Sequence, residues 1–271
     1  MLALLHTSPV HVPVFDALRD ADRPGLALRH LVREDLLDRA RRDGPEAVTG
    51  DVRALVTGAV RGGARAVLCT CSTLGGVAES ADAAAGVPVL RVDRPMAAAA
   101  VALGPRVVVL AALESTLGPT AALIEEEAAR AGRPAEVRTV LVDGAWSRFE
   151  AGDTEGYVRR VAAVADAVTP ADADAIVLAQ ASMAPAERLT TTAVPVLSSP
   201  RPGLAAAADA ADAGTVADAA AATHAGTAAA AADAGTVADA AAAGTVADAA
   251  AAGTAAAAAA AGAAAGAALA G

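Results

Sequence analysis

Residues 66–76 read Ala-Val-Leu-Cys-Thr-Cys-Ser-Thr-Leu-Gly-Gly, an apolar run that passes directly into thiols, hydroxyls and a glycine pair. Short apolar runs of this kind are typical of strands that are buried on both faces of a parallel sheet. Such strands end at the carboxyl edge of the sheet, where α/β proteins bind ligands. Both cysteines of the chain, Cys69 and Cys71, lie in this stretch. It therefore constrains the fold and the chemistry together.

Further apolar runs have the same character and alternate with segments of helical periodicity. We predict further strands at residues 2–5, 86–93, 107–113, 136–142 and 175–179. We predict helices at residues 14–21, 31–41, 51–62, 74–85, 96–103, 119–131 and 157–167. Strands that alternate with helices at this spacing form βαβ units. The predicted fold class is therefore α/β, with parallel sheets flanked by helices.

The two halves of the chain repeat one pattern. Residues 67–72 lead from a Val-Leu pair to a serine, and residues 177–182 do the same 110 positions later. A Val-Pro-Val-Leu segment follows in each half, at 87–90 and 194–197, with an offset of 107 positions. Offsets this similar indicate a duplicated lobe. Two such lobes would place their strand ends across a common cleft, which is a usual place for a small-ligand site.

The lobe boundaries follow from this repeat and from a change of composition. We predict a first α/β lobe at residues 1–103, a second at 104–203, and a low-complexity tail at 204–271 made almost wholly of Ala, Gly, Thr, Asp and Val. A Gly-Thr-Val-Ala-Asp unit recurs in the tail at irregular spacing, so we expect short helices or disorder there rather than a solenoid. The alternative for residues 204–211 is a closing helix packed on the core.

Charge and composition exclude several classes of function. The formal net charge is −10, and every basic residue is Arg. The chain has no basic stripe and no polybasic patch, so we expect neither nucleic acid nor a membrane as a partner. The glycine pairs match no nucleotide-binding fingerprint. The amino terminus lacks the basic start of a signal peptide and no apolar run suits a membrane span, so we expect a cytoplasmic protein.

The spacing of the two cysteines limits what they can do. Side chains two positions apart on one strand do not reach normal disulfide geometry. The pair also fits no zinc pattern, so we expect no metal. A buried cysteine is often only a small apolar core residue, and this is our interpretation of Cys69. Cys71 lies at the strand end, where a catalytic thiol is the alternative to a core role.

Polar side chains follow several of the predicted strands. Together with backbone N–H groups, hydroxyls and amides at such strand-to-helix turns can bind carboxylate oxygens without a metal. Each of them is as readily an ordinary helix cap. His6, at the end of the first strand, is either a ligand contact or a histidine satisfied by local backbone. The candidate substrate-binding residues are Thr7, Ser8, Ser72, Thr73, Ser115, Thr116, Gln180 and Ser182.

The Cys71-Ser72-Thr73 motif and the stretches 107–116, 176–183 and 194–201 resemble the aspartate/glutamate racemase superfamily, which includes hydantoin racemases, maleate isomerases and arylmalonate decarboxylases. The resemblance implies two lobes related by a pseudo-twofold axis and chemistry at a carbon acid without a cofactor. It also implies a small carboxylate or amino-acid-like ligand, with Cys71 as the thiol of the first lobe. A homo-oligomer is compatible with it.

The sequence departs from the family's racemases in the second lobe. In those racemases a cysteine from each lobe flanks the substrate α-carbon, so a proton leaves one face and another arrives at the opposite face. Comparison with the family loop puts Gln180 at the second position, and the internal repeat puts Ala181 there. No cysteine follows Cys71. A two-thiol racemase mechanism is therefore not supported.

Several functions stay open for a chain with one such thiol. Cys71 can add to the activated double bond of a dicarboxylate, as an isomerase does, or donate a proton after loss of carbon dioxide, as a decarboxylase does. The alternative is a ligand-binding member of the same fold that has lost its chemistry. The absence of the second thiol motivates this alternative.

Overall fold

The computed structural model describes residues 1–213 of the 271-residue chain, and these residues belong to one compact unit, Met1–Ala221. The recurrent units of the predicted tail lie outside the described residues. The described part forms two lobes, each with a four-stranded parallel sheet between helices. The predicted α/β fold class is confirmed.

The sheet of the first lobe consists of β1 (Leu2–His6), β2 (Leu28–Val32), β3 (Ala66–Cys69) and β4 (Val89–Arg91). The strand order is β2-β1-β3-β4, and every neighbouring pair is parallel. The central strands β1 and β3 are buried at every residue, because helices cover both faces of the sheet. The carboxyl ends of these two strands therefore meet at one edge.

The sheet of the second lobe repeats this arrangement. It consists of β5 (Arg106–Ala111), β6 (Glu136–Leu141), β7 (Ala175–Leu178) and β8 (Val196–Ser198). The order is β6-β5-β7-β8, again parallel throughout. The correspondence of β3 with β7 and of β4 with β8 is the one that the internal repeat of the sequence indicates.

The helices connect the strands and cover the sheets. They are α1 (His11–Asp22), α2 (Glu34–Asp43), α3 (Thr49–Arg61), α4 (Ser72–Glu79), α5 (Asp82–Ala85), α6 (Arg94–Leu103), α7 (Glu114–Ala131), α8 (Ala145–Glu150), α9 (Thr154–Asp166) and α10, which begins at residue 200 and continues to 213. Short 3₁₀ helices occupy Pro45–Val48 and Ala181–Arg188.

Each lobe receives one helix from the end of the other. Met96 and Val101 of α6 pack with Val109 and Val177 in the core of the second lobe. Helix α10, which follows the last strand of the second lobe, packs on the first-lobe strands β1 and β3 together with Phe15. Because each of these helices leaves its own sheet, the lobes are interlocked. The predicted lobe boundaries at 103/104 and 203/204 lie at or within these exchanged helices.

An ion-pair cluster joins the lobes beside this exchange. Arg94, at the start of α6, pairs with Glu79 of α4 at 2.5 Å and with Glu126 and Glu127 of α7. These carboxylates raise the pKa of Arg94 above its ordinary value. The guanidinium therefore holds the first-lobe helix α4 and the second-lobe helix α7 side by side.

Several local predictions are wrong for identifiable reasons. Residues 31 and 32 belong to strand β2, not to a helix, because an edge strand that is only partly buried lacks a continuous apolar run. Helix α7 begins at Glu114, ahead of Pro119, which lies inside it; a proline is costly in a helix interior, so the sequence favoured a later start. The predicted helix 74–85 is divided into α4 and α5.

Candidate active site

A cavity of about 380 Å³ opens between the carboxyl edges of the two sheets. One side comes from the turns after β1 and β3 and from α2; the other comes from the turns after β5 and β7 and from α8. A space of this volume suits a small ligand. Strand ends of parallel sheets are favourable for binding because backbone N–H groups at the following helix starts have no partner within the helix.

The cavity brings together eight of the nine predicted site residues. Those that line it are Thr7, Ser8, Cys71, Ser72, Thr73, Thr116, Gln180 and Ser182. Ser115 is exposed and does not line it. Ser115 lies in the first turn of α7. Consecutive side chains of a helix point about 100° apart, so Thr116 faces the cavity and Ser115 does not.

Cys71 lies immediately before α4, at the N-terminus of that helix. Its backbone is extended (φ −110°, ψ 116°), so the strand direction continues to the thiol before the chain turns. The thiol is free and half-buried, and it lines the cavity. The first turn of α4 carries partial positive charge on its N–H groups, so a carboxylate bound beside Cys71 is stabilised.

Cys69 is fully buried two residues before Cys71. Its Sγ donates a hydrogen bond to the carbonyl of Cys71 at 3.6 Å. Burial and the neighbouring Cys71 thiol raise the pKa of Cys69 above its ordinary value. A thiol that is kept neutral and away from solvent is a poor nucleophile. This environment agrees with the structural role predicted for Cys69.

Ser72 connects the lobes at the floor of the cavity. Its Oγ donates a hydrogen bond to the carbonyl of Ala179, at the end of β7, at 3.0 Å. The Ser72 carbonyl accepts from Arg91 at 3.4 Å, and Arg91 forms a buried ion pair with Asp93 at 2.6 Å. The Ser72 hydroxyl is therefore engaged in a hydrogen bond between the lobes. The Arg91 guanidinium supports the start of α4 through the Ser72 carbonyl.

The side chain of Gln180 lies on the second-lobe wall. Its Oε1 accepts hydrogen bonds from the backbone N–H groups of Ala112 at 2.6 Å and Leu113 at 3.2 Å. Among residues 1–213 its amide nitrogen has no hydrogen-bond partner, so it remains able to donate to a ligand. Neither this amide nor the Ala181 methyl group can act as a general acid or base at neutral pH. The two positions considered for a second thiol therefore supply no acid or base.

Ser182 is held by a tyrosine that the sequence did not single out. The hydroxyls of Ser182 and Tyr157 are 2.9 Å apart. Tyr157 is fully buried, and burial raises its pKa to about 12. The tyrosine is therefore neutral at physiological pH and acts as a hydrogen-bonding support for the 3₁₀ segment after β7. The sequence signal that could have revealed it is slight, a single Tyr at the start of a predicted helix.

Helix α8, which is not among the predicted helices, supplies an aromatic wall. Trp146 and Phe149 line the cavity with their ring centroids 5.0 Å apart in a stacked arrangement. The guanidinium carbon of Arg41, on α2 of the other lobe, lies 5.6 Å from the Trp146 ring centroid, which is cation–π distance. The six-residue helix was missed because it is too short to show a helical repeat.

The mouth of the cavity carries more acidic than basic side chains. Glu34 and Asp38 of α2 and Glu150 of α8 line it, and the basic lining residue is Arg41. Trp146 donates its indole N–H to Glu150 at 2.7 Å. The rim is therefore polar and charged, whereas the aromatic wall gives part of the cavity an apolar surface.

Two histidines lie near the cavity: His11 lines it, and His6 is buried behind the lining residue Thr70. His6 is fully buried and does not line it; its Nδ1 is 2.7 Å from the Thr70 hydroxyl. Both alternatives predicted for His6 are therefore wrong. Its side chain does not contact the cavity, and its ring nitrogens bind side chains rather than local backbone. Burial lowers the pKa of His6 to about 3, with a contribution from His30, and that of His11 to about 4. Both rings are neutral at physiological pH.

Two negative findings apply to the described part of the chain. Within residues 1–213, no group of three or more His, Cys, Asp or Glu side chains is placed to hold a metal ion. None of the helices in this range has both the length and the apolar character that crossing a membrane requires.

Comparison with solved structures finds the same two-lobed architecture. An aspartate racemase from Picrophilus torridus aligns with a TM-score of 0.56 and 15% identity, over 78% of this chain and 94% of that one. A glutamate racemase isoform from Bacillus anthracis gives 0.55 and 16%, over 75% and 78%. An arylmalonate decarboxylase gives 0.52 and 21%, over 78% and 91%. At these identities the similarity establishes the fold.

The fold and the cavity thus define a two-lobed α/β protein with its candidate site between the lobes. Residues 14–207 match the family described as Asp/Glu/Hydantoin racemase, which is more than two thirds of the chain. The chain belongs to the Asp/Glu/hydantoin racemase family. No curated protein matches it by sequence.

Proposed function

We propose that the protein is an enzyme that performs cofactor-independent chemistry at the α-carbon or double bond of a small carboxylate, with Cys71 as the reacting thiol. The observation that carries this proposal is the environment of Cys71. It is a free, half-buried thiol on the wall of a cavity of about 380 Å³, at the start of the eight-residue helix α4. Membership of the racemase family supports the same class of chemistry.

Ligand binding is assigned to groups on both walls. The backbone N–H groups at the start of α4 and the hydroxyls of Thr73 and Thr116 are donors for carboxylate oxygens, and the amide nitrogen of Gln180 is a further donor. Trp146 and Phe149 provide apolar surface for a hydrocarbon or aryl substituent. These assignments are consistent with the lining of the cavity.

Cys71 as the sole thiol on the cavity wall favours reactions that need a proton on one face of the substrate. In a decarboxylation, the bond from the α-carbon to one carboxylate breaks, and its electron pair passes to an enediolate on the remaining carboxylate. The α-carbon then takes the proton of the Cys71 thiol, and water reprotonates the thiolate. In an isomerisation, the thiolate adds to one alkene carbon and is expelled after rotation.

The experiment is an NMR assay in deuterated water with aspartate, glutamate, hydantoins, maleate and phenylmalonate. The proposal expects deuterium at the α-carbon, or isomerised or decarboxylated product, for one of these compounds. Cys71→Ser should lower the rate by about 100-fold or more. Cys69→Ala is the matched control and should keep the rate within a few-fold, because that thiol is buried away from the cavity. Equal rates in wild type and Cys71→Ser would refute the role of Cys71.

A second candidate function is ligand binding without turnover. The observation in its favour is the second-lobe wall, where Gln180 and Ala181 occupy the positions considered for the missing thiol. The chain has one tryptophan, Trp146, and it lines the cavity, so its fluorescence reports occupancy. Saturable quenching by a compound that the NMR assay leaves unchanged would favour this candidate over the enzyme.

A further inference from the structure

Four side chains form a continuous hydrogen-bonded series that the chemistry of Cys71 does not use. The Thr70 hydroxyl is 2.7 Å from His6 Nδ1, His6 Nε2 is 2.8 Å from His30 Nδ1, and His30 Nε2 is 3.4 Å from Asp16 Oδ1. The rings of His6 and His30 are stacked with centroids 5.0 Å apart. Each ring thus uses both nitrogens within the series.

The series runs from the cavity to the surface. Thr70 lines the cavity and is 3% exposed, and His6 is completely buried. His30 is partly exposed, and the Asp16 side chain is 39% exposed. Thr70 directly follows β3, and His6, His30 and Asp16 come from β1, β2 and α1. The parallel register of the three strands brings the first three side chains to one face of the sheet.

The proton positions in this series are linked. A neutral imidazole has one N–H donor and one acceptor nitrogen. If Thr70 donates to His6 Nδ1, then His6 must donate from Nε2 to His30, and His30 must donate from Nε2 to Asp16. If Thr70 instead donates to the Leu5 carbonyl, which is 3.1 Å from its Oγ, its oxygen accepts from His6 Nδ1 and both rings adopt the opposite tautomer. His30 Nε2 and Asp16 Oδ1 are then two acceptors with no proton between them. The two arrangements differ by the shift of every proton along the series.

We propose that Thr70, His6, His30 and Asp16 form a proton path between solvent and the cavity, with Thr70 as the group that exchanges a proton with water beside Cys71. To deliver one proton, Thr70 releases its hydroxyl proton to the cavity and takes the Nδ1 proton of His6. His6 takes the Nδ1 proton of His30 at its Nε2. His30 takes a proton from solvent at the Nε2 that faces Asp16. One proton enters, one leaves, and no charge remains on either ring.

The surroundings favour passage of a proton over its storage. Phe15 packs at 5.5 Å and the neutral His11 at 6.2 Å from the His6 ring centroid, and neither stabilises a cation there. Burial also lowers the pKa of His6 strongly. At the outer end, Asp16 is held by Arg19 at 3.1 Å, which fixes the carboxylate opposite His30. The path rests on the proposed function in one respect, because decarboxylation consumes a proton that the site must recover.

The test of the path itself needs no substrate. In the ¹⁵N-labelled full chain, a coupling between His6 Nε2 and His30 Nδ1 across the hydrogen bond is expected, as is exchange of the His6 N–H with water. His30→Gln keeps a polar side chain but cannot relay a proton, so the His6 N–H should exchange about tenfold or more slowly. Asp20→Asn is the matched control on α1, since Asp20 pairs with Arg19 and does not contact His30, and it should exchange as wild type.

Catalytic readouts then separate this inference from the proposed function. With a turned-over substrate, His30→Gly should lower kcat with little change in KM, and added imidazole should restore kcat in proportion to its concentration. Unchanged His6 exchange in His30→Gln, or the absence of the coupling, would overturn the path whether or not a substrate is found. Normal coupling and slowed exchange without any turnover would instead support the path and count against the proposed function.

Discussion

The hydroxyl of Ser72 and the carbonyl of Ala179 form a 3.0 Å hydrogen bond that joins the first residue of α4 to the end of β7 in the other lobe. Ser72 is 7% exposed and Ala179 is fully buried. The bond ties the segment that carries Cys71 to the strand that leads to Gln180. The two walls of the cavity are therefore fixed against each other at its floor.

Replacing Ser72 by Ala should destabilise the protein because it leaves the buried Ala179 carbonyl without its donor. We expect a loss of about 1–3 kcal/mol in the free energy of unfolding, measured by urea denaturation. Ser80→Ala is the control, since Ser80 is exposed and its hydroxyl bonds to the Val77 carbonyl within its own helical turn, and it should cost less than half as much. Equal effects of the two substitutions would contradict the interlobe role.

The buried ion pair behind α4 should be costly to break. Asp93 is fully buried and binds Arg91 through two hydrogen bonds, at 2.6 and 3.0 Å. Asp93→Asn leaves the buried guanidinium uncompensated, so we expect a loss of about 3–5 kcal/mol in unfolding free energy. Asp35→Asn breaks an exposed pair with Arg33 and should change the free energy of unfolding far less, because solvent screens such pairs. Similar losses in denaturant titrations of both variants would be inconsistent with this account.

Stability should fall as the solution is acidified from pH 6.5 towards 5. The pKa values of His6 and His11 are lowered by burial to about 3 and about 4, below their unfolded values, so the unfolded chain takes up protons first. For two such groups the slope is at most about 2.7 kcal/mol per pH unit. His11→Gln should reduce this slope of unfolding free energy against pH, measured by calorimetry at a series of pH values. A flat profile in wild type would show that these rings are not buried as described.

Stability should also fall between pH 10 and 12. The pKa of Tyr157 is raised by burial to about 12, so the folded state keeps a proton that the unfolded state loses above pH 10. The contribution is fully present below pH 10 and disappears as pH rises through 12. Burial also raises the pKa of Cys69, so the comparison with Tyr157→Phe is needed to isolate the contribution of the tyrosine. Tyr157→Phe should reduce the alkaline slope of unfolding free energy by up to about 1.4 kcal/mol per pH unit; an unchanged slope would contradict the burial of Tyr157.

The strand ends of the site were predictable because apolar runs followed by polar residues mark buried parallel strands. This signal places Cys71, Thr116 and Gln180 at one cleft without any structure. It does not reveal β2, whose partly exposed residues form no apolar run, and it therefore does not reveal His30. Sequence also gives no indication that Gln180 caps two backbone N–H groups, since that depends on the register of β5 and β7.

The aromatic wall and the partners of the site residues were not predictable for a different reason. Trp146 belongs to a helix of six residues, which is too short for a periodic signal. The contact of Arg41 with Trp146 joins helices of different lobes, more than 100 residues apart. Such contacts depend on how the two lobes are interlocked through α6 and α10. Local sequence patterns do not indicate that these helices pack on the opposite lobe.

The decisive measurement is the configuration of the product formed in deuterated water from a substrate that the assay above shows to be decarboxylated. A single thiol on one wall delivers a proton to one face. We therefore expect one deuteron at the α-carbon and one enantiomer, with the rate lost in Cys71→Ser. A product in which both enantiomers carry the deuteron at comparable rates would require a second acid or base, and would contradict the assignment of Cys71 as the sole proton donor to the substrate carbon.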